Sequence, residues 1–393
     1  MKRIKQIKQI KQAVAVMAAV VCVLSMTACS NKGTQIPAAE ETSGQVARGT
    51  KEPEEEPVKV GIGIYKFDDD FMTLYRTELE KYLSSEYQAE VLVRDAKGDQ
   101  KRQNDQIEAL IQEECDVLIL NLVQASETKT VADKCSIAGI PVVFINREPD
   151  EAEIRRWKEE KITASYVGAD ARQSGTFQGE IILETPNKGD FDGDGMVSYV
   201  MIQGDEESID AEYRTRYSVQ ALKKGGMKTR ELFCQRGNWE EDRGRELVSA
   251  ALNHYGDQIE VVFCNNDAMA NGARIAIESA GRTVGKDIYL VGVDALEETV
   301  GYVKDGGVTG TVWNDYVKQS HTAADVAIKM AAGEKVDTKY TVDHVKIVSE
   351  SAAEDTDQAI GETETDIWEP GETAENISVE DISVEDTSAV SGS

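Results

Sequence analysis

Histidine is scarce in this chain, and so are basic residues and long hydrophobic runs. His254, His321 and His344 are the three histidines among 393 residues. A multi-histidine metal site is therefore excluded, and serine-triad chemistry has few bases to draw on; no G-x-S-x-G string occurs either. Lys and Arg number 43 against 72 Asp and Glu, a formal charge of −29. A phosphate backbone needs a basic patch, so nucleic acid is excluded as a partner. No P-loop is present, and Gly61-x-Gly63 is too short for a dinucleotide-binding turn. No base–nucleophile pair stands out, so the sequence does not read as an enzyme. The apolar stretch Ala13–Leu24 has 12 residues, too few to span a bilayer.

What is present begins with an export signal over residues 1–28. Lys2, Arg3, Lys5, Lys8 and Lys11 precede the apolar stretch, and small residues lead into Cys29. That pattern is a bacterial lipobox and predicts cleavage before Cys29 and acylation of its sulfur. The protein is expected outside the cytoplasm, anchored to the cell membrane by lipid only. Residues 29–57, rich in Gly, Ser, Thr, Pro and Glu, read as a flexible tether. Residues 351–393 read as an acidic disordered tail, with no Lys or Arg after Lys346 and the repeat ISVED at 377–381 and 382–386. Cys115, Cys135, Cys234 and Cys264 are too few to form a disulfide scaffold, and Cys264 lies in an apolar run suited to a buried thiol.

Between tether and tail, short β-branched runs alternate with helical patterns. Strands are expected at Lys59–Tyr65, Glu90–Arg94, Val117–Asn121, Val142–Asn146, Val197–Ile202, Glu260–Cys264, Ile288–Val293 and Gly310–Asn314. Repeated βα units predict an α/β fold with parallel sheets between helices, and nearly 300 residues of it predict two doubly wound lobes. Ligands of such sheets sit beyond the carboxyl ends of the strands. Polar residues gather there: Asp68-Asp69-Asp70, Asn121, Asn146, Asn265-Asn266-Asp267, Asp294 and Asn314-Asp315. Helix capping explains any one of them. Amides and carboxylates at six exits suit a neutral polyhydroxylated ligand, whose hydroxyls both donate and accept. Asp210 and Arg214 stand four apart on an expected helix, hence on one face.

These residues carry a resemblance. Ile64-Tyr-Lys-Phe-Asp-Asp-Asp-Phe71, Asn104-Asp-Gln-Ile107, Asn121-Leu-Val123, Asn265-Asn-Asp-Ala-Met269, Gly292-Val-Asp-Ala295 and Gly310-Thr-Val-Trp-Asn-Asp315 resemble the bacterial galactose/glucose-binding proteins, periplasmic or lipoprotein receptors that feed an ABC transporter. The resemblance implies a periplasmic-binding-protein type I fold with a three-crossing hinge. It implies an N-terminal lobe of residues 58–140 plus 314–345 and a C-terminal lobe of 141–313 plus 346–350. It also implies a monomer that binds galactose or glucose and closes around it. Asp69 then matches the contact to the sugar's fourth hydroxyl, and Phe71 and Trp239 the aromatic plates on its two faces. Asn121, Asp210, Arg214, Asn266, Asp294 and Asn314 match the remaining polar contacts. Ser208 stands where the family carries a histidine, which opens the alternatives of a pentose or a modified galactoside. The partner is an ABC permease or, in a sensing role, a chemoreceptor or sensor kinase.

Asp190-x-Asp192-x-Asp194-Gly195 has the spacing of a calcium loop, with alternate carboxylates and a glycine at the turn. Position 12 of that loop is Met201, so it cannot be a self-contained EF-hand. In the family a distant glutamate completes the site, and Glu260 matches it. Ser198 and the backbone carbonyl of Met196 complete the expected set for a structural calcium ion.

Overall fold

The computed structural model describes residues 56–349. The expected signal, Cys29, all but the last two tether residues, and the tail lie outside the described residues. No helix among the described residues is long and apolar enough to cross a membrane.

The first lobe is built on β1 (Lys59–Ile64), β2 (Glu90–Asp95), β3 (Val117–Leu120), β4 (Val142–Ile145), β5 (Ala164–Ala169) and β11 (Lys339–Val342), in the order β11-β5-β4-β3-β1-β2. Every pairing in this sheet is parallel. Helices α1 (Asp70–Tyr87), α2 (Gln100–Gln112), α3 (Thr128–Ala138), α4 (Glu151–Glu160) and α10 (Tyr316–Ala331) accompany it. Strand β3 shows why the central strands are apolar throughout. Val117 and Ile119 enter one core with Ile62, Tyr75 and Ala323, while Leu118 and Leu120 enter another with Phe144 and Trp157. A strand covered on both faces cannot alternate apolar with polar.

The second lobe repeats the plan with β6 (Met196–Gln203), β7 (Lys228–Arg236), β8 (Val261–Cys264), β9 (Tyr289–Val291), β10 (Gly310–Trp313) and β12 (Val345–Val348), ordered β12-β10-β9-β8-β6-β7. Only β12 runs antiparallel, against β10. Its helices are α5 (Ala171–Leu183), α6 (Ile209–Lys224), α7 (Glu241–Tyr255), α8 (Asp267–Ser279) and α9 (Glu297–Asp305). In both sheets the chain starts beside the middle and winds outward both ways, so the crevice opens at the ends of β1 and β6.

The chain passes between lobes at Asp170, at Asn314-Asp315 and at Asp343-His344. The first crossing corrects the expected boundary at 140/141. β4 pairs with β3 through Leu118↔Val142, and β5 pairs with both β4 and β11. Residues 141–169 therefore belong to the first lobe, and Ile140-Pro141 only joins α3 to β4. The cysteines at 115, 135, 234 and 264 are all free, and Cys264 is buried.

Candidate functional site: a polar cleft with an aromatic from each lobe

A cleft of about 390 Å³, partly open to solvent, is lined by Tyr65, Asp69, Phe71, Met72, Asn146 and Arg147 from the first lobe. Ser208, Asp210, Arg214, Trp239, Asn266 and Asp294 line it from the second, and Asn314 from the second crossing. Nine of the ten residues expected to contact a ligand are thus gathered. Asn121 is the exception. It is fully buried behind the cleft, where Oδ1 accepts from Tyr65 N at 3.3 Å and Nδ2 donates to Asn146 Oδ1 at 3.1 Å. The amide reaching the cleft is Asn146, and Asn121 holds it.

The two lobes contribute different chemistry. Asp69 caps α1, accepting from Met72 N at 2.8 Å and from the Tyr65 hydroxyl at 2.5 Å. Burial, with the Asp69 charge second, holds the Tyr65 phenol well above its usual range. Phe71 follows in the first turn and is buried. Opposite, α6 delivers Asp210 and Arg214 from one face, as the spacing predicts. That helix lies close against α5: a Cβ on Gly175 would stand 2.9 Å from Arg214 Cα, so only glycine permits the approach. Arg214 Nη1 donates to the Asn265 carbonyl at 2.7 Å and lies 3.7 Å from Asp294 Oδ1.

Two buried polar atoms on α6 have no hydrogen-bond partner, Asp210 Oδ1 and Arg214 Nε. Unpartnered buried polar atoms are costly unless a ligand or solvent completes them. Burial raises the Asp210 carboxyl to about 6, with Arg214 opposing, and pushes Asp294 up as well. Ser208 precedes α6 as its N-cap but makes no side-chain capping bond.

Trp239 is fixed from three sides. Its indole Nε1 donates to Asp205 Oδ2 at 2.6 Å, and its carbonyl accepts from Asn266 Nδ2 at 3.2 Å. The ring lies over Gly204, where a Cβ would come within 1.9 Å of Cζ2. Trp239, Asn146 and Asp294 all have positive φ, at 72°, 62° and 121°. Each such residue costs on the order of 1–3 kcal/mol, and such strain concentrates where a side chain must be aimed. Of the lining residues, Arg147 had no sequence signal beyond a surface-like Asn-Arg-Glu-Pro loop, whereas Tyr65 stands inside and Met72 directly after the Ile64–Phe71 motif without being singled out. Asn146 had one, as a polar strand exit.

Away from the cleft, the carboxylates of Asp190, Asp192 and Asp194 lie within 4.8 Å of one another before β6. Their loop is held by Glu260, whose Oε1 accepts from Phe191 N at 2.6 Å and whose Oε2 accepts from Ser198 N at 2.8 Å. Three converging carboxylates fit a hard cation. The Ser198 hydroxyl, on β6, accepts from Arg230 Nη2 at 2.7 Å. Met196 opens β6 next to the cluster.

The periplasmic binding protein domain model matches residues 60–335. The chain belongs to the periplasmic binding protein family. The family is extracytoplasmic, and its members bind solutes rather than transform them, so this chain is a substrate-binding protein and not an enzyme. It is 34% identical over 279 residues to the D-galactose/methyl-galactoside binding periplasmic protein MglB of Haemophilus influenzae, covering 70% of this chain and 82% of that one. A putative rhizopine-binding protein of Rhizobium meliloti is 29% identical over 296 residues, 75% of this chain and 91% of that one. An ABC transporter solute binding protein from Bacillus halodurans with bound myo-inositol shares the fold at a TM-score of 0.68 and 24% identity, over 78% of this chain and all of that one.

Proposed function

We propose that the protein binds a galactose- or glucose-type monosaccharide between its lobes and presents the closed form to an ABC permease. The observation that carries this reading is the pair of unpartnered buried atoms, Asp210 Oδ1 and Arg214 Nε, in a cleft to which each lobe adds an aromatic side chain, Phe71 and Trp239. A pyranose has apolar C–H faces and a polar rim, and rings with carboxylates, amides and a guanidinium supply both complements. The Haemophilus relative's name points to the same ligand class. Closure around a small neutral solute fits micromolar affinity, about −8 kcal/mol.

Ser208 favours a second ligand reading. A short hydroxyl in place of the family's imidazole leaves room for a substituent or for a bridging water, which suits a modified galactoside, or for a pentose. A sensing role would use the same site and a different partner for the closed form, a chemoreceptor or a sensor kinase. Calcium is proposed as a structural ion held by Asp190, Asp192 and Asp194, completed as the resemblance implies by Glu260, Ser198 and the Met196 carbonyl. The export signal and the lipid on Cys29 remain part of the proposal. Calorimetric titration of D-galactose, D-glucose, D-xylose and methyl-galactosides tests it. A hexose signal in the micromolar range is expected. Tighter binding of xylose or of a methyl-galactoside moves the assignment to the Ser208 alternative, and heat from none of them refutes the sugar site.

A further inference from the structure

One ion pair in the cleft joins the lobes directly. Arg147 stands two residues past β4 in the first lobe, and Asp205 two residues past β6 in the second. Arg147 Nη2 meets Asp205 Oδ2 at 2.5 Å, with only 5% of the arginine side chain exposed. The guanidinium is set by its own lobe. Nη1 donates to the Val123 carbonyl, and the plane lies 4.4 Å from the Tyr65 ring centroid. A lysine could not supply that fork together with the stacking. Asp205 is set by the other lobe: Oδ1 accepts from Glu207 N at 2.9 Å. The same Oδ2 that takes Arg147 also takes Trp239 Nε1. Ser126 Oγ and Glu207 Oε2, 3.4 Å apart, form a second polar contact between the lobes nearby.

We propose that Arg147 and Asp205 are a closure latch, with Asp205 the positioning residue whose one carboxylate oxygen holds the Trp239 indole within its own lobe and receives the guanidinium when the lobes meet. Opening the cleft separates the pair but leaves Asp205 holding the indole. Closing it places the guanidinium on an oxygen already shared with the ring. Each charge has its other partners in its own lobe, so neither is reorganised when the lobes meet, and the pair acts on the open–closed equilibrium rather than on folding. A half-buried charge pair is costly to break from one side, because the remaining charge is left without its partner. Neither residue needs to touch the ligand for this role.

The proposal rests on the sugar reading for its kinetic half only. The test uses Asp205→Asn, which keeps an acceptor for the indole, Arg147→Gln, and the double variant. X-ray scattering with and without D-galactose reads the lobe separation, and stopped-flow tryptophan fluorescence reads D-galactose release. Each single variant is expected to enlarge the radius of gyration and to speed release about tenfold, as closed-state contacts act on dissociation. The double variant is expected to do no more than the worse single, because the two side chains act as one unit. Unchanged dimensions and release in both singles overturn the latch, and so do effects that simply add in the double. If the parent protein takes up no D-galactose, the sugar-free scattering still decides the latch while the ligand assignment falls separately.

Discussion

Asn121 and Asn146 end neighbouring parallel strands and meet side chain to side chain, with Asn121 Nδ2 donating to Asn146 Oδ1 at 3.1 Å. Only Asn146 lines the cleft. The two should therefore fail differently. Asn146→Gly, which tolerates the φ of 62°, is expected to weaken sugar binding about 10-fold or more, the loss of one or two hydrogen bonds at the ligand, with a smaller melting loss than a change at Asn121. Asn121→Ala strips a partner from Tyr65 N and from the Ile145 carbonyl, so it should also destabilise the fold by about 1–3 kcal/mol. Calorimetry and thermal melts separate the two; equal melting losses would count against the assignment.

The Trp239 ring needs the missing side chain of Gly204. Gly204→Ala should displace the indole and cost sugar affinity nearly as much as Trp239→Ala, while the protein stays folded. An alanine variant that binds as tightly as the parent would show that the ring is not a contact surface.

Chelation with EGTA should lower the melting temperature by several degrees without abolishing folding, since the aspartate loop is also tied down by Glu260 through backbone amides. Asp192→Ala should erase the EGTA effect. A parent melting curve indifferent to EGTA removes the cation from the account.

Asp267 gives a pH signature. Burial raises its carboxyl from 3.8 to about 6, against the hydrogen bond from the Thr311 hydroxyl and the one from Leu296 N. A folded-state value above the unfolded one means that its contribution to stability is complete below about 4 and is lost as pH rises through about 6. The melting temperature of the parent relative to Asp267→Asn should thus be higher at pH 4.5 than at pH 7, by on the order of 5 °C. A pH-independent difference would contradict the raised value.

Much of the architecture could be read from residue patterns because the central strands are uniformly apolar and each ends in an amide or carboxylate. Less could be read where the residues are small or polar. Ala164–Ala169, sequence ASYVGA, carries no run of branched residues and does not announce a strand, yet it is buried between β4 and β11. The first crossing implied by the resemblance, at Ile140-Pro141, therefore lies two strands too early. The exchange of Asn121 for Asn146 has a similar cause. Both follow four apolar residues, and only the strand register decides which side chain faces the cleft. Arg147 looks like an exposed loop charge until the second lobe is placed over it, because its partner Asp205 is 58 residues away.

The position of β11 bears on how the molecule is made. Residues 339–342 supply the outermost strand of the first lobe, although everything between 171 and 313 belongs to the other. In an extracytoplasmic protein the chain emerges beyond the membrane from its N-terminal side, so β5 keeps a bare flank until the whole second lobe and then residues 339–342 have followed it across. A shortened polypeptide ending ahead of Lys339 would keep the flank uncovered indefinitely, a template for pairing with other nascent copies.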